Sequence, residues 1–406
     1  MVQAQNKAGG TRPRNADTNT PVEIIAGRLY WISDQNPPKS RQHAFYFCID
    51  NDLVYEPFFA DFGPLDLGKV HLFCKELEKL MNDQQYQNYK IYHYTSLDYA
   101  KQSNAAFLMG AFMIICLKKS AEDAWNTFRP YHNKFIPYRD ATMGNCAYRC
   151  TNLHCFQGLE YAIALGWYDY NTFDVQEYQT FEKVENGDLN WIVPNKFIAF
   201  SGPLNVTDRY GSFTPDDYVP IFKRMGVSLV VRLNKPQYEK SKFTKQGIKH
   251  LDLFFIDGTA PPDEIVPQFL TAAENETGAI AVHCKAGLGR TGTLIGLYCM
   301  KHFGFPPAAF IGWIRIARPG SILGPQQQYL NNMDQRMMDL GGAEARRRLF
   351  ALVHKNKMAN NAAEDVEVAG QAEFTAEEAK VQMGGDHGQG TRLTDAKKLA
   401  QQRRKV

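Results

Sequence analysis

The sequence lacks an apolar run long enough to cross a bilayer as a helix. The longest such run, residues 105–117, is shorter than the ~20 residues that a spanning helix needs and suits a buried helix. The sequence also lacks an N-terminal segment with the apolar centre of a signal peptide. Its eight cysteines do not have the spacing of a disulfide framework. We therefore expect a soluble intracellular protein with reduced thiols and no membrane span.

A dominant charge is missing as well. The 406 residues include 46 Lys and Arg against 43 Asp and Glu, and the net charge of +3 is too small to indicate nucleic-acid binding by the whole chain. Apolar residues, by contrast, make up 44% of the chain and aromatic residues 13%, which is enough for large cores. The length suits two domains of ordinary size with tails.

Composition divides the chain into five regions. Residues 1–22 are polar and predict a disordered leader, and residues 341–406 have few aromatic residues and predict a disordered tail. Strand and helix patterns alternate at 23–171 and at 191–340, which predicts two α/β domains, each with a mainly parallel sheet flanked by helices. Residues 172–190 contain several acidic residues and predict a linker helix. Within the first domain, three successive helices are predicted over residues 102–117, 121–131 and 147–165.

The segment with the clearest chemistry is residues 283–292, HCKAGLGRTG, between an apolar strand pattern and an apolar helix pattern. The N–H groups of a glycine-containing turn and of a helix N-terminus bind anions and favour a thiolate at Cys284. Arg290 can bind two oxygens of the same anion through its planar guanidinium group. This combination predicts phosphoryl transfer to sulfur. The phosphate should lie against Lys285, Ala286, Gly287, Leu288, Gly289 and Arg290.

Asp257 is the best candidate for the general acid. It follows a strand predicted over residues 248–256, one strand away from Cys284 in the predicted sheet, in a loop with Gly258 and two prolines that could close over substrate. The same carboxylate would then activate the water that hydrolyses phosphocysteine. An aspartate in a turn at a strand end is the structural alternative.

Two further polar residues could take part. The Thr291 hydroxyl would donate a hydrogen bond to the departing thiolate, and Gln326 would orient the attacking water. A glutamine at a helix N-terminus is the structural alternative for Gln326.

A possible zinc site is formed by four residues at helical spacing: Cys146, Cys150, His154 and Cys155. Zinc sites usually join two ligand pairs from different elements, whereas here the surrounding apolar residues continue an amphipathic helix. We therefore expect core packing, with no metal and no cofactor.

The two predicted domains repeat one order of elements: an FF-x-Asp motif, a helix, a strand, a turn and a long apolar helix. In the first domain Tyr94 and Ala100 stand at the positions of Cys284 and Arg290. The pattern favours a diverged duplication with a catalytically silent first domain. Chance similarity between two α/β domains is the alternative.

These residues resemble the cysteine-dependent phosphatases of the tyrosine and dual-specificity class. Longer runs are similar to one family of that class, the mitotic-exit phosphatases called cell division cycle fourteen. They are GAIAVHCKAGLGRTGT (278–293), DLFFIDG (252–258), RPGSILGPQQQ (318–328) and VENGDLNW (184–191). The resemblance covers residues 26–340 and leaves both tails unexplained. Two departures are TAPP at 259–262, where the family more usually has Ser-Thr-Pro, and a short C-terminal region.

The resemblance implies two dual-specificity-like domains and hydrolysis of phosphoserine, and also of phosphothreonine and phosphotyrosine, through phosphocysteine. The preferred sites would be phosphoserine-proline sites made by cyclin-dependent kinases. Cys284 would be the nucleophile, Arg290 the phosphate clamp and Asp257 the acid. Glu182 and Glu185 would belong to an acidic groove that binds basic residues after the proline. Their spacing of three predicts one helical face, and a solvated acidic face is the alternative.

The resemblance also implies a role in mitotic exit or at the centrosome or basal body. Nucleus, cytoplasm and spindle are further expected locations.

Three other functions fit parts of the sequence. Phosphoinositide phosphatases of the tensin type have a similar loop with a second lysine where Leu288 stands, so its absence favours a protein substrate. A non-catalytic phosphoprotein-binding scaffold fits the first domain but not the three catalytic residues together. The basic end of the tail, residues 397–405, could bind nucleic acid or an anionic surface, although such clusters are more often solvated or localisation signals. The expected partners are therefore phosphorylated proteins.

Overall fold

The computed structural model describes residues 20–39, 41–142, 146–208 and 211–367. Most of the predicted leader and residues 368–406 of the predicted tail lie outside the described residues. Among the helices in these ranges, none combines the length and the apolar character that crossing a bilayer requires.

The first domain is a four-stranded sheet with its core on one face. Its strands are β1 (Val22–Ile25), β2 (Leu29–Ser33), β3 (Ala44–Cys48) and β4 (Lys90–Thr95), in the order β1-β2-β4-β3. Strand β1 is antiparallel to β2, and β2 and β3 are both parallel to β4. Its helices are α1 (Leu67–Asn82), α2 (Tyr99–Ile115), α3 (Ala121–Thr127) and α4 (Asn152–Ala164).

The two faces of this sheet differ in what they contact. Trp31 and Ile91 are fully buried in the core, whereas Tyr30, Tyr92 and Tyr46 form a partly exposed stack across three strands. The core therefore lies on one face of this sheet, because alternate residues of a strand point to opposite faces and only one set meets the helices.

Helix α5 (Val175–Phe181) connects to the second domain, where five strands are β5 (Leu189–Val193), β6 (Phe197–Phe200), β7 (Val227–Arg232), β8 (Lys249–Asp252) and β9 (Ala279–His283). Their order is β5-β6-β9-β7-β8, and the strands are parallel except for β5. The helices are α6 (Pro215–Arg224), α7 (Ser241–Thr244), α8 (Ile265–Asn275), α9 (Gly289–His302), α10 (Pro307–Ala317), α11 (Pro325–Asn332), α12 (Asp334–Met337) and α13 (Ala343–Glu367). Buried clusters cover both faces, one with α6 and α7 and the other with α8 to α11.

The sheet topologies support the predicted duplication. In each domain an antiparallel pair leads into a central parallel strand, β4 or β9, which then pairs with one more parallel strand, β3 or β7. The second domain adds β8 at the edge. Two unrelated α/β sheets are not expected to agree in both the order and the direction of four strands, so this agreement favours duplication over chance similarity.

The domains meet where α4 packs against α10. A Cβ atom on Gly158 of α4 would lie 2.4 Å from the Ala309 carbonyl oxygen, and one on Gly312 of α10 would lie 2.4 Å from the His154 carbonyl oxygen. Glycine at both positions lets the two backbones touch. The apolar residues of both domains consequently join in one continuous core cluster.

The predicted start of one helix and the predicted disorder just after the second domain are wrong. The helix predicted over 147–165 begins only at Asn152, because Cys150 forms a β-bridge with Tyr138 and His154 Nδ1 accepts a hydrogen bond from the Thr151 N–H at the helix start. Part of the tail predicted to be disordered is the helix α13, which packs on α4 and α9. Its packing against the folded domains stabilises a segment whose composition alone did not indicate a helix.

The fully buried His93 precedes Tyr94, as His283 precedes Cys284, and is a site for a stability test. Among the residues that the structure describes, neither ring nitrogen of His93 has a hydrogen-bond partner. The ring stacks on that of Phe47, with 4.8 Å between the ring centroids. Burial lowers the pKa of His93 to about 3. Between that value and its unfolded pKa near 6.5, only the unfolded chain takes up the proton, so stability falls as pH falls through this window.

We expect His93→Phe to raise the free energy of unfolding by about 1 kcal/mol at pH 7.5, because two unpaired buried polar atoms are removed. At pH 5 the advantage over the wild type should grow by about 2 kcal/mol. Urea unfolding at both pH values measures the difference. His43→Phe, at an exposed position, serves as the control, and an advantage that does not change with pH would contradict the prediction.

Candidate active site

Cys284 lies at the carboxyl end of β9, between that central strand and the start of α9 at Gly289. The thiol is almost fully buried. Gly287 has φ +70°, and a Cβ atom there would lie 1.9 Å from the Phe200 carbonyl oxygen, so only glycine fits this turn. The strand, the tight turn and the helix start form the loop that the sequence predicted.

Arg290 is buried and held in a fixed direction. Its Nη1 donates to the carbonyl oxygens of Leu233 at 3.2 Å and Phe255 at 2.9 Å, and its Nη2 lies 3.1 Å from Asp257 Oδ1. Two buried donors in the same loop as Cys284, Arg290 Nε and the Thr291 hydroxyl, have no hydrogen-bond partner within the described part of the chain. Buried donors without partners are costly, and a phosphate oxygen and a thiolate would satisfy them.

The fully buried Arg318 holds the loop through its backbone carbonyl oxygens. Sequence reasoning had not singled out this residue. Its guanidinium donates to the carbonyl oxygens of Gly287 at 2.9 Å and Ala286 at 3.0 Å. Asn190 and Asp188 hold it from the other side, at 2.6 and 3.1 Å.

Arg318 thereby sets the direction of the loop amides. In a trans peptide the N–H points opposite to the C=O. Because the carbonyls of residues 286 and 287 face Arg318, the N–H groups of Gly287 and Leu288 point away from it. These are the donors that an oxyanion needs.

A chain of hydrogen bonds reaches the Cys284 backbone from β8. His283 Nδ1 is 2.8 Å from the Cys284 carbonyl oxygen, its Nε2 is 2.8 Å from the Tyr238 hydroxyl, and that hydroxyl is 2.8 Å from His250 Nε2. Burial lowers the pKa of His283 to about 3 and that of His250 to about 4, so both are neutral at pH 7. A carbonyl only accepts, so the proton of His283 is on Nδ1 and Tyr238 donates to its Nε2. His250 must then donate to Tyr238. Sequence reasoning missed Tyr238 and His250.

Asp257 reaches the site by a route that differs from the predicted one. Strand β8 ends at Asp252, not at residue 256, and β7 lies between β8 and β9. The next residues continue along the end of β7, where Leu253 N–H donates to the Arg232 carbonyl oxygen at 2.9 Å. This extension brings the Asp257 carboxylate, which is 67% exposed, to the guanidinium of Arg290.

Gln326 lies between two loops. One is the loop of residues 284–289, called the phosphate loop below, and the other is the loop that carries Asp257 and Thr259, called the acid loop below. It is fully buried, its Oε1 accepts from the Leu323 N–H at 3.1 Å, and its Nε2 donates to the Thr259 carbonyl oxygen at 3.1 Å. A Cβ atom on Gly289 would lie 2.6 Å from Gln326 Oε1. Its position next to both loops fits the predicted role in orienting water, which stays a prediction.

Glu182 and Glu185 do not share a helical face, contrary to the prediction. Helix α5 ends at Phe181, Glu182 caps it, and Glu185 lies in a separate 3₁₀ turn, Val184–Asn186. The predicted linker helix therefore covers only part of residues 172–190. Although burial acts to lower it, Asp66 and then Glu182 raise the pKa of Lys69, which places the Glu182 carboxylate near the start of α1.

The four residues of the possible zinc site are not on one helix, since Cys146 and Cys150 precede α4. Within the described ranges, no group of three or more His, Cys, Asp and Glu side chains has an arrangement that could hold a metal ion.

Each of the two domains matches a known protein family. Residues 23–162 match the family model "Dual specificity protein phosphatase, N-terminal half", and residues 186–329 match "Swiss Army Knife protein, DSP-PTPase phosphatase domain". The chain is 52% identical to human dual specificity protein phosphatase CDC14A over 312 residues, 76% of this chain and 52% of that protein. It is 45% identical to human CDC14C over 341 residues, 83% of this chain and 76% of that protein. The chain belongs to the CDC14 family.

Membership confirms the predicted resemblance and the two phosphatase-like domains. The tyrosine-protein phosphatase cdc-14 of Caenorhabditis elegans is 40% identical over 334 residues, 79% of this chain and 47% of that protein. The chain spans about half the length of the first curated relatives that it matches.

In the first domain of this CDC14-family chain, aspartate carboxylates hold the turn after the central strand β4. In the turn after β4, Asp50 accepts hydrogen bonds from the Thr95 hydroxyl at 2.8 Å and the Ser96 N–H at 2.9 Å. Asp98 caps α2 by accepting from the Lys101 N–H at 2.9 Å. Carboxylates thus accept hydrogen bonds in the part of the first domain that corresponds to the loop after Cys284.

Proposed function

We propose that this protein is a cysteine-dependent protein phosphatase that hydrolyses phosphoserine, and also phosphothreonine and phosphotyrosine, with a preference for phosphoserine-proline sites. The observation that carries the proposal is the meeting of three groups. Cys284 begins the loop, Arg290 is oriented by two carbonyl oxygens, and Asp257 lies 3.1 Å from the Arg290 guanidinium. A nucleophile, a phosphate clamp and an acid are the three parts that phosphoryl transfer to sulfur requires.

The reaction would run in two steps. The Cys284 thiolate attacks phosphorus, the bond between phosphorus and the ester oxygen breaks, and Asp257 gives its proton to that oxygen. Water then attacks the phosphocysteine, Asp257 takes a proton from the water, and the sulfur–phosphorus bond breaks to release inorganic phosphate and the thiolate. Arg290 and the loop N–H groups stabilise the equatorial oxygens in both steps.

An apolar surface beside the loop supports a preference for proline. Ala286 and Leu288 of the loop form a small buried cluster with Ala141 of the first domain, and Phe58 and Leu323 pack against it. A proline ring directly after the phosphorylated residue would bury apolar area there. The absence of a cation at Leu288 supports a protein substrate over an inositol headgroup with several phosphates.

Glu182 and Glu185, which follow α5, support binding of basic residues beyond the proline. Glu182 and Glu185 lie in the segment that connects the two domains, and carboxylates there would attract lysine or arginine side chains of a substrate.

We expect the double change Glu182→Lys and Glu185→Lys to raise KM for a peptide with a lysine after the proline by about tenfold, with little change in kcat. Repulsion replaces attraction at the groove, while the catalytic groups are untouched. Steady-state kinetics on basic and neutral peptides measures the effect. Glu76→Lys, an exposed glutamate further along α1, is the control for charge alone. An unchanged preference for the basic peptide would remove both glutamates from substrate binding.

The proposed function is tested with purified protein and four substrates. A phosphoserine-proline-x-x-lysine peptide is compared with its phosphothreonine version, its alanine-for-proline version and soluble phosphoinositides. The first peptide should have the highest kcat/KM. Equal turnover of all peptides would refute the preference for proline, and preference for the lipid headgroup would support a phosphatase of the tensin type. Phosphopeptide binding without turnover would support a scaffold.

Family membership supports a role in the cell cycle, in which the protein reverses marks made by cyclin-dependent kinases. Nucleus, cytoplasm, spindle, centrosome and basal body are the expected places of action.

A further inference from the structure

The segment from Gly320 to Gly324 has a backbone that ordinary residues avoid. Gly320, Ile322 and Gly324 have φ values of +77°, +63° and +54°. For a β-branched residue such as Ile322, a positive φ is a true outlier, and such strain persists only where the surroundings enforce it. The segment leads directly into α11, which carries Gln326.

Two buried charged side chains enforce this conformation, one from each domain. Arg315 of α10 donates to the carbonyl oxygens of Ser321 at 3.1 Å and Ile322 at 2.9 Å, and to Gln327 Oε1 at 2.7 Å. Asp140 of the first domain accepts from the Gly324 N–H and from Gln327 Nε2, the latter at 2.6 Å.

Asp140 is itself held in place. It is 2% exposed, and the Thr142 hydroxyl donates to its Oδ1 at 2.6 Å, which leaves Oδ2 for the second domain. Through Oδ2, Asp140 accepts hydrogen bonds from two groups of the second domain, 184 and 187 residues away in the chain.

The strained segment also contacts the catalytic loops. Gln326 accepts from Leu323 N–H within the segment and donates to the carbonyl oxygen of Thr259, two residues after Asp257. A shift of the segment would therefore move the Gln326 amide and release the acid loop.

We propose that Asp140 of the silent first domain is a positioning residue for the active site. It holds the segment before α11 in the strained form in which the Gln326 side chain reaches the acid loop. The first domain then completes the catalytic arrangement in addition to shaping the entrance for substrate. This inference rests on the proposed phosphatase function.

The test uses Asp140→Asn in the full chain with phenyl phosphate as substrate. An amide has one acceptor oxygen and one donor group, so it cannot accept from both Thr142 and the second domain. Phenyl phosphate is too small to reach the groove, and its phenolate needs a proton on leaving. We expect kcat to fall about tenfold and KM to change less than about twofold.

A double-mutant cycle with Gln326→Ala separates positioning from general destabilisation. If Asp140 acts through Gln326, Asp140→Asn lowers kcat in the wild-type background and has no further effect in the Gln326→Ala background. Equal fold losses in both backgrounds, or an unchanged kcat for Asp140→Asn alone, would overturn the proposal. Asp50→Asn is the matched control, since Asp50 is also buried but bonds only within the first domain.

A milder variant covers the case in which Asp140→Asn does not fold. Thr142→Val keeps the side-chain shape and removes only the hydroxyl that orients Asp140. Its kcat should fall about threefold, again only where Gln326 is present, and a loss that persists in the Gln326→Ala background counts against the proposal. A wild-type protein without phosphatase activity would refute the proposed function instead.

Discussion

Exchanging Cys284 for serine is expected to lower turnover by about 10⁵-fold or more, because the serine hydroxyl stays protonated near neutral pH and is a poor nucleophile. Binding of phosphopeptide should remain. The loop N–H groups, Arg318 behind them and the Arg290 guanidinium do not depend on the sulfur atom.

Two measurements check this result. Single-turnover kinetics reports phosphate release, and titration calorimetry with a phosphoserine-proline peptide reports binding. Cys48→Ser, at an exposed cysteine on β3, is the control for loss of a thiol elsewhere. Activity of the Cys284→Ser protein within tenfold of the wild type would show that Cys284 is not the nucleophile.

Exchanging Asp257 for asparagine should reduce kcat for a phosphoserine peptide by about 10²–10⁴-fold, because the serine oxygen cannot leave easily without a proton. With p-nitrophenyl phosphate the loss should be much smaller, since p-nitrophenolate leaves as an anion. The substrate phosphate would take over the Arg290 guanidinium that Asp257 now contacts at 3.1 Å, which frees the carboxyl for the leaving oxygen.

The comparison of the two substrates is the decisive measurement. Asp263→Asn is the matched control, because Asp263 is in the same loop, is 84% exposed and pairs with Arg336 at 2.6 Å, away from the nucleophile. The same fold loss on both substrates would mean that Asp257 does not act as the acid.

The first domain contacts the second domain next to the candidate active site. Asp50 bonds within the turn after β4, whereas Ala141 lies in the apolar cluster beside the phosphate loop and Asp140 bonds the segment before α11. Asp140 and Ala141, which contact the second domain, are thus not the residues at the positions of Cys284 and Arg290.

Helix and strand boundaries show where local patterns fail. The sequence predicted a helix from residue 147 and a strand to residue 256, but Cys150 bridges to Tyr138 and the strand ends at Asp252. In both cases the periodicity of apolar residues continued past the element, because burial in an irregular segment leaves the same pattern as burial in a helix or strand. In the same way, no sequence pattern distinguished the 3₁₀ turn Val184–Asn186 from a continuation of α5.

The sequence by itself determined which residues form the candidate active-site loop and the order of the elements around it. Strand, glycine turn and helix start are consecutive, so the positions of Cys284 and Arg290 relative to the loop amides follow from local geometry. Only the tertiary structure decided what supports them. Arg318 reaches back to Gly287, and Asp140 reaches Gln327 from the other domain. Such contacts depend on how α10 packs against α4 and the sheet, and no local spacing encodes that packing.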